Sequence, residues 1–264
     1  MASYGDKVRY FWQENQGIAA TRTAACRLAR GEFIAFQDDD DLMPPDRIVH
    51  LYEGLRQYPS AVFATGDYAL IDAEGNLTGK RWLPGSLEDR EKPVLIDDAY
   101  TAVLWPKVPA VPHTTLFRKS DGDRIGWFDI RFTYACSDAD FFARLSKLGP
   151  IVYVKEVISY YRRGHTAIWS NELLATYSRL QLFEKHITSM DAKNKKLRRR
   201  LQDRIRMALI RIAFYKSIGI KVDDSILKDY INRGFSLLGL KDRLTYRWHT
   251  WVKYPIRRIV RGTN

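Results

Sequence analysis

The chain has 264 residues, 45% of them hydrophobic and 28% charged, and a net charge of +12. That length buries one substantial core, or one catalytic domain with an appendage, and the balance is that of a soluble globular protein. Two cysteines far apart, Cys26 and Cys136, give neither a disulfide framework nor a zinc spacing, and no apolar run approaches the roughly 18 residues of a membrane span.

The opening residues show no charged-then-apolar leader, so the expectation is a cytoplasmic protein. Charge is distributed unevenly. Residues 193–264 carry 20 Lys or Arg against 5 Asp or Glu, whereas residues 1–192 carry 23 against 26. A near-neutral body with a basic final third suggests an anionic surface as partner.

In chain order, Val8–Trp12 is a β-prone run closed by the turn residues Asn15, Gln16 and Gly17. Ile18–Arg30, rich in Ala, Leu and Arg, predicts a helix stopped by Gly31. Phe33–Phe36 reads as a short buried strand, Pro45–Tyr58 as a helix, and Ala61–Thr65 as another strand. Tyr68–Asp72 and Leu77 flank a hairpin turn at Gly75-Asn76. Strand alternating with helix argues for an α/β domain with a mainly parallel sheet.

Lys80–Pro112 holds five prolines and reads as irregular, with one short helix near Asp97–Leu104. Pro112–Arg118 returns to strand character, and Asp138–Leu148 is an amphipathic helix stopped by Gly149-Pro150. Ile151–Val154 and Val157–Tyr161 predict two short strands. From Trp169 onward only helices are expected, over about 171–189, 194–216 and 223–238. The division is therefore 1–170, an α/β domain, and 171–264, a basic helical region.

The chemistry concentrates after Phe36, where Asp38, Asp39, Asp40 and Asp41 follow one another at the end of a strand. Four like charges repel, so folding alone does not account for them. A hard divalent cation does, because Mg2+ and Mn2+ take carboxylate oxygens together with substrate phosphates. Carboxyl ends of strands are also where open α/β sheets bind ligands.

Several stretches together resemble glycosyltransferase family 2. Asn15-Gln16-Gly17 with Thr21-Arg22, then Gly31-Glu32-Phe33-Ile34-Ala35-Phe36-Gln37-Asp38-Asp39-Asp40-Asp41, is similar to its nucleotide-sugar-binding half. Ile125-Gly126-Trp127-Phe128-Asp129 and Ser137–Leu145 resemble its acceptor half, and Tyr161-Arg162-Arg163-Gly164-His165 its closing segment. The resemblance covers residues 7–170. It implies a GT-A fold, an inverting mechanism and a metal-bound nucleoside diphosphate sugar, a UDP-sugar first, with Mn2+ or Mg2+ as cofactor.

On this resemblance Asp40 is the metal ligand, with His165 as a further contact to metal or diphosphate. Asp38 meets the ribose hydroxyls, with Asn15, Arg22 and Asp39 also on the nucleotide sugar. Asp138 is the base, Asp140 its substitute, and Trp127 and Asp140 border the acceptor. Ser137 stands where the family more often has Glu. Family members ordinarily place a strand, a helix and an acid-ended strand before the stretch at Val8. Their absence from these residues predicts an exposed edge and self-association as a homo-oligomer.

The implied function is sugar transfer to a saccharide or lipid-linked hydroxyl in surface polysaccharide or glycan synthesis. The alternative is a degenerate transferase fold that docks on a membrane without turnover. Aromatic residues interleaved with cations over 241–261 suggest an anionic membrane surface as partner, on the inner face of the cytoplasmic membrane. No nucleic-acid-binding signature accompanies the basic residues, so nucleic acid is not the expected partner.

Overall fold

The computed structural model describes residues 7–82, 93–163, 171–191 and 194–217, with Asn232, Leu237, Leu238 and Arg243. Ala19, Thr23 and Cys26, spaced for one helix face, turn the first helix, α1 (Ile18–Leu28), onto the core. After it come β1 (Phe33–Ala35), α2 (Arg47–Gln57) and the long strand β2 (Phe63–Ile71). Gly75, at φ +94°, makes the turn to β3 (Leu77–Arg81), as the Gly-Asn pair predicts.

β4 (Val94–Ile96) and α3 (Ala99–Leu104) follow, and Asp98 Oδ1 caps the helix by accepting from the Thr101 N–H at 3.3 Å. A single 3-10 turn, Pro112–Thr114, leads into β5 (Thr115–Arg118), α4 (Lys119–Ile125) and α5 (Ser137–Leu145). The two strands expected after α5 are one, β6 (Ile151–Arg162). Gly66 of β2 pairs with Val154, but the next residue, Asp67, pairs with Val157, so the charged pair Lys155-Glu156 bulges out of a continuous strand. The chain ends its described part in α6 (Glu172–Thr188) and α7 (Lys195–Ser217).

The sheet runs β1-β5-β2-β6-β4, with β3 on β2. The expectation of a mainly parallel sheet is corrected here. Among the described strands only β2 and β6 pair in parallel, and every other pairing is antiparallel. The cause is β5, which enters between β1 and β2 against the direction of both. β1, β2 and β6 nevertheless point the same way, so their carboxyl ends share one edge.

One sheet face packs α2 through Leu51 and Leu55 against Ala64, Val152 and Ile158. The other carries the main core, which runs from α1 through Phe117, Phe141 and Phe142 to Leu180 of α6 and Leu201 of α7. The helical region therefore shares a core with the sheet. Val8–Trp12 forms no strand with any described residue, and Tyr10, Phe11 and Trp12 are exposed.

Candidate active site

The loop after β1 is shaped by two cations that bind its backbone. Arg47, at the start of α2 and 1% exposed, donates to the Phe36 carbonyl at 2.8 Å and to Gln37 Oε1 at 3.0 Å. Gln37 in turn donates to the carbonyls of Asp38 and Asp41, at 2.9 and 3.1 Å. Burial pulls the Arg47 guanidinium down to about 10, against the opposing pull of Asp38 and Asp41. From the far side Arg162, the last residue of β6, donates through Nε to the Asp40 carbonyl at 2.7 Å. Its Nη1 donates to the carbonyls of Asp72 and Ala73, at 3.1 and 2.6 Å. Leu42 and Tyr160 exchange backbone hydrogen bonds at 3.0 and 2.9 Å, which fixes the loop to β6.

This frame sorts the four carboxylates. Asp41 is buried and accepts the Arg162 N–H at 2.8 Å, a structural role. Asp38 is half-buried and accepts from Arg22 of α1 at 3.1 Å, while the Arg22 guanidinium also lies over the Phe36 ring at 5.8 Å. Asp40 is half-buried and Asp39 exposed. Arg22 and Asp38 are thus brought together as a site pair. Asn15 is exposed, and its Oδ1 accepts the Gly17 N–H at 3.0 Å, so it shapes the turn into α1.

His113, on the 3-10 turn before β5, also reaches this edge. Its Nδ1 lies 2.8 Å from Ser159 Oγ and 4.0 Å from an Asp41 carboxylate oxygen, its ring stacks on Tyr161 at 5.1 Å, and Tyr68 meets it edge-on at 5.3 Å. Burial pushes its imidazole down to about 4, so it is neutral at ordinary pH.

The second acid-rich stretch opens α5. Asp138 is half-buried, and its Oδ1 accepts the Ala139 N–H at 2.8 Å. Asp140, two residues on, is fully buried and meets Lys185 Nζ at 2.6 Å, Arg144 Nε at 2.8 Å and His186 Nε2 at 3.2 Å. Burial raises its pKa, but these partners outweigh that and bring the carboxyl to about 2. The expectation of Asp140 as an acceptor contact or substitute base is corrected: three basic groups from α5 and α6 occupy it.

Trp127 is corrected too. It is 3% exposed, its ring stacks parallel to Phe141 at 6.4 Å, and its Nε1 donates to Asp123 at 3.1 Å. A Cβ on Gly122 would lie 2.3 Å from the indole, so that glycine makes room for it. The backbone at Trp127 takes a positive φ of 64°, held where Arg144 donates to its carbonyl at 2.5 Å. The ring is part of the core and offers no open floor.

Phe36, next to the acidic loop, meets Phe128 edge-on at 5.7 Å, and Phe128 stacks on Phe141 of α5 at 4.3 Å. The loop and the helix opened by Asp138 therefore lie on the same face of the sheet. His165 lies outside the described residues, as do 241–261 apart from Arg243. Among the described residues no group of three or more His, Cys, Asp or Glu gathers as a metal cluster. The oxygen donors fit Mg2+ or Mn2+ in the other common way, one or two carboxylates from Asp39 and Asp40 with substrate phosphates completing the shell. Arg47 and His113 are the residues that sequence reasoning missed, and Arg162 was marked only as part of the closing segment, with no role assigned. The only signal was an Arg closing an apolar strand and a His in a Pro-His-Thr-Thr run.

The acidic loop thus follows β1 at the carboxyl edge it shares with β2 and β6, the edge where open α/β sheets commonly bind ligands. The family model described as glycosyl transferase family 2 matches residues 1–129, just under half of the chain, so that stretch is similar to the family. A chondroitin synthase of Escherichia coli is 26% identical over 155 residues, which is 57% of this chain and 20% of that protein. An uncharacterized glycosyltransferase of Rickettsia conorii is 35% identical over 75 residues, 28% of this chain and 12% of that protein. The chain thus spans a small part of the length of these relatives.

Among solved structures, S. aureus TarS 1-349 in complex with UDP superposes with a TM-score of 0.65 at 14% identity, covering 96% of this chain and 74% of that one. At such identity the likeness is one of fold, the GT-A arrangement of a mixed sheet with flanking helices.

Proposed function

We propose that this chain transfers a sugar, with inversion, from a nucleoside diphosphate sugar to a hydroxyl of a saccharide or lipid-linked acceptor. The observation that carries the reading is the acidic loop. Its backbone is pinned by Arg47 and Arg162, and Asp38 and Asp40 stand at the edge where the face of α5 begins. A UDP-sugar is the first donor to test, since the TarS relative of like fold was solved with UDP.

In this mechanism Asp38 and Arg22 bind the nucleoside diphosphate, the guanidinium offering paired donors to carbonyl or phosphate oxygens. Asp40, with His165 as a further contact, would hold Mn2+ or Mg2+, which when bound offsets charge on the diphosphate, and Asp39 would join Asp38 on the nucleotide sugar. Asp138 takes the acceptor hydroxyl proton as that oxygen bonds to the anomeric carbon, and the bond from that carbon to the diphosphate oxygen breaks. The product is the glycosylated acceptor with free nucleoside diphosphate. The anionic membrane surface proposed for 241–261 would bring a lipid-linked acceptor to this edge.

Hydrolysis of UDP-sugars with and without Mn2+ tests the reading. The expected result is metal-dependent release of UDP, lost in Asp40→Ala without loss of fold. Donor binding with no turnover in any metal would leave the non-catalytic docking protein instead.

A further inference from the structure

The groove between α6 and α7 is used by nothing in the catalytic reading. It holds about 270 Å³ and is lined by Arg179 and Phe183 of α6 and by Arg204, Met207, Arg211 and Phe214 of α7. α7 buries Leu197, Leu201, Ile205, Leu209 and Ile212 against the body, so the helix already has its apolar face satisfied. A second stripe remains on its outer side. Arg200, Arg204, Met207, Arg211 and Phe214 recur at intervals of four, three, four and three, which puts them on one line of the helix.

That stripe is unlike an ordinary solvated face. Met207 is 55% and Phe214 36% exposed, and exposed Leu174 stands at the start of α6. Among the described residues the cations between them have one acidic partner, Glu172. Glu172, half-exposed, lies 3.8 Å from Arg179 and 3.4 Å from Arg211, a distance and exposure that fix neither guanidinium strongly. Arg204 and Arg200 instead lie over the Trp105 ring at 4.6 and 4.9 Å. Guanidinium groups level with exposed apolar side chains match the headgroup layer of an anionic bilayer, where phosphate pairs with Arg and acyl chains receive the apolar tips. The groove is smaller than a usual ligand pocket, so it takes a segment of a lipid and leaves the rest in the bilayer.

We infer that the α6–α7 face docks on an anionic phospholipid surface, with lipid phosphate at Arg179, Arg204 and Arg211 and an acyl segment between Phe183, Met207 and Phe214. The surface stands on its own residues and independently of the catalytic assignment. The test keeps 241–261 intact.

The experiment is flotation of the full chain with phosphatidylcholine–phosphatidylglycerol vesicles and with phosphatidylcholine alone, at low salt. The protein should float with the first and not the second. Arg204→Gln with Arg211→Gln should lower partitioning roughly 30-fold, since each cation near an anionic leaflet adds a similar increment. Met207→Gln should lower it several-fold at unchanged charge. Circular dichroism on each variant confirms a folded chain, and UDP-sugar hydrolysis on the same preparations reports on the catalytic site separately. Equal flotation of wild type and variants, or equal flotation on phosphatidylcholine alone, overturns the inference.

Discussion

In the loop after β1, Arg47 and Arg162 bind the backbone carbonyls of Phe36 and Asp40, and Arg22 meets the half-buried Asp38 carboxylate at 3.1 Å. At the start of α5 the arrangement is reversed, and Arg144, Lys185 and His186 bind the Asp140 carboxylate itself. Both stretches present acids two residues apart, and both sit on the same face. A carboxylate whose surroundings are held by other groups keeps its charge available for a ligand, whereas one that is itself the anchor spends that charge on the fold. Asp138 and Asp41 follow the same division in mirror image. Among the described residues Asp138 accepts only from the next N–H, and Asp41 anchors Arg162 of β6.

The sharpest way to break the comparison is at α5. Asp138→Asn preserves size and the bond from the Ala139 N–H and removes the base, so transfer should fall roughly 10²–10⁴-fold while donor binding and melting temperature hold. Steady-state transfer with a saccharide acceptor measures this, and near-normal turnover would show that Asp138 belongs with the structural acids.

Asp140→Ala should do the reverse. Removing one partner of a buried charge cluster leaves Arg144, Lys185 and His186 uncompensated, at a cost of about 3–5 kcal/mol in stability. Urea unfolding would read it, and a loss below about 1 kcal/mol would return Asp140 to the candidate site.

How far this contrast was legible depends on sequence distance. Helical periodicity exposed α5, α6 and α7, and the Gly-Asn turn exposed the β2–β3 hairpin, because both are local signals. β4 is three residues long beside a proline, and α4 carries a glycine and mostly polar residues, so neither had a pattern to read. The acidic loop was legible as a cluster, but the sorting of its members was not. Arg162 reaches Asp40 and Asp41 across 122 and 121 residues, and Asp140 reaches His186 across 46. Nothing within a window of sequence distinguishes a carboxylate that will be met by two cations and a buried histidine from one that will stay half-buried at an edge.

The loop side can be sharpened through pH. His113 is held neutral by burial at about 4, below its ordinary value near 6.5, and His186 is lowered in the same direction, again chiefly by burial. As pH falls, the unfolded chain binds these protons first, so the contribution is complete above pH 6.5 and is lost as pH drops toward 4. For His113 it amounts to roughly 3 kcal/mol by linkage. Stability measured across that window should slope downward in the wild type and less steeply in His113→Asn. A parallel slope in the variant would show that the imidazole does not sit buried beneath the loop.

The smallest effect separates Asp39 from its neighbours. Asp39 is exposed, whereas Arg47 and Arg162 bind the loop backbone on either side of it. Surface substitutions away from buried networks change stability by about 0.5 kcal/mol or less, so Asp39→Asn should leave the melting curve in place. A direct bond from this carboxylate to the bound cation would be lost in the amide, which is a poorer ligand for a hard ion. Isothermal titration of Mn2+ with UDP therefore distinguishes two roles for the one residue. A drop in affinity at constant stability places Asp39 with Asp40 on the ligand side of the comparison. Unchanged affinity at constant stability makes it a solvated loop residue that belongs to neither side.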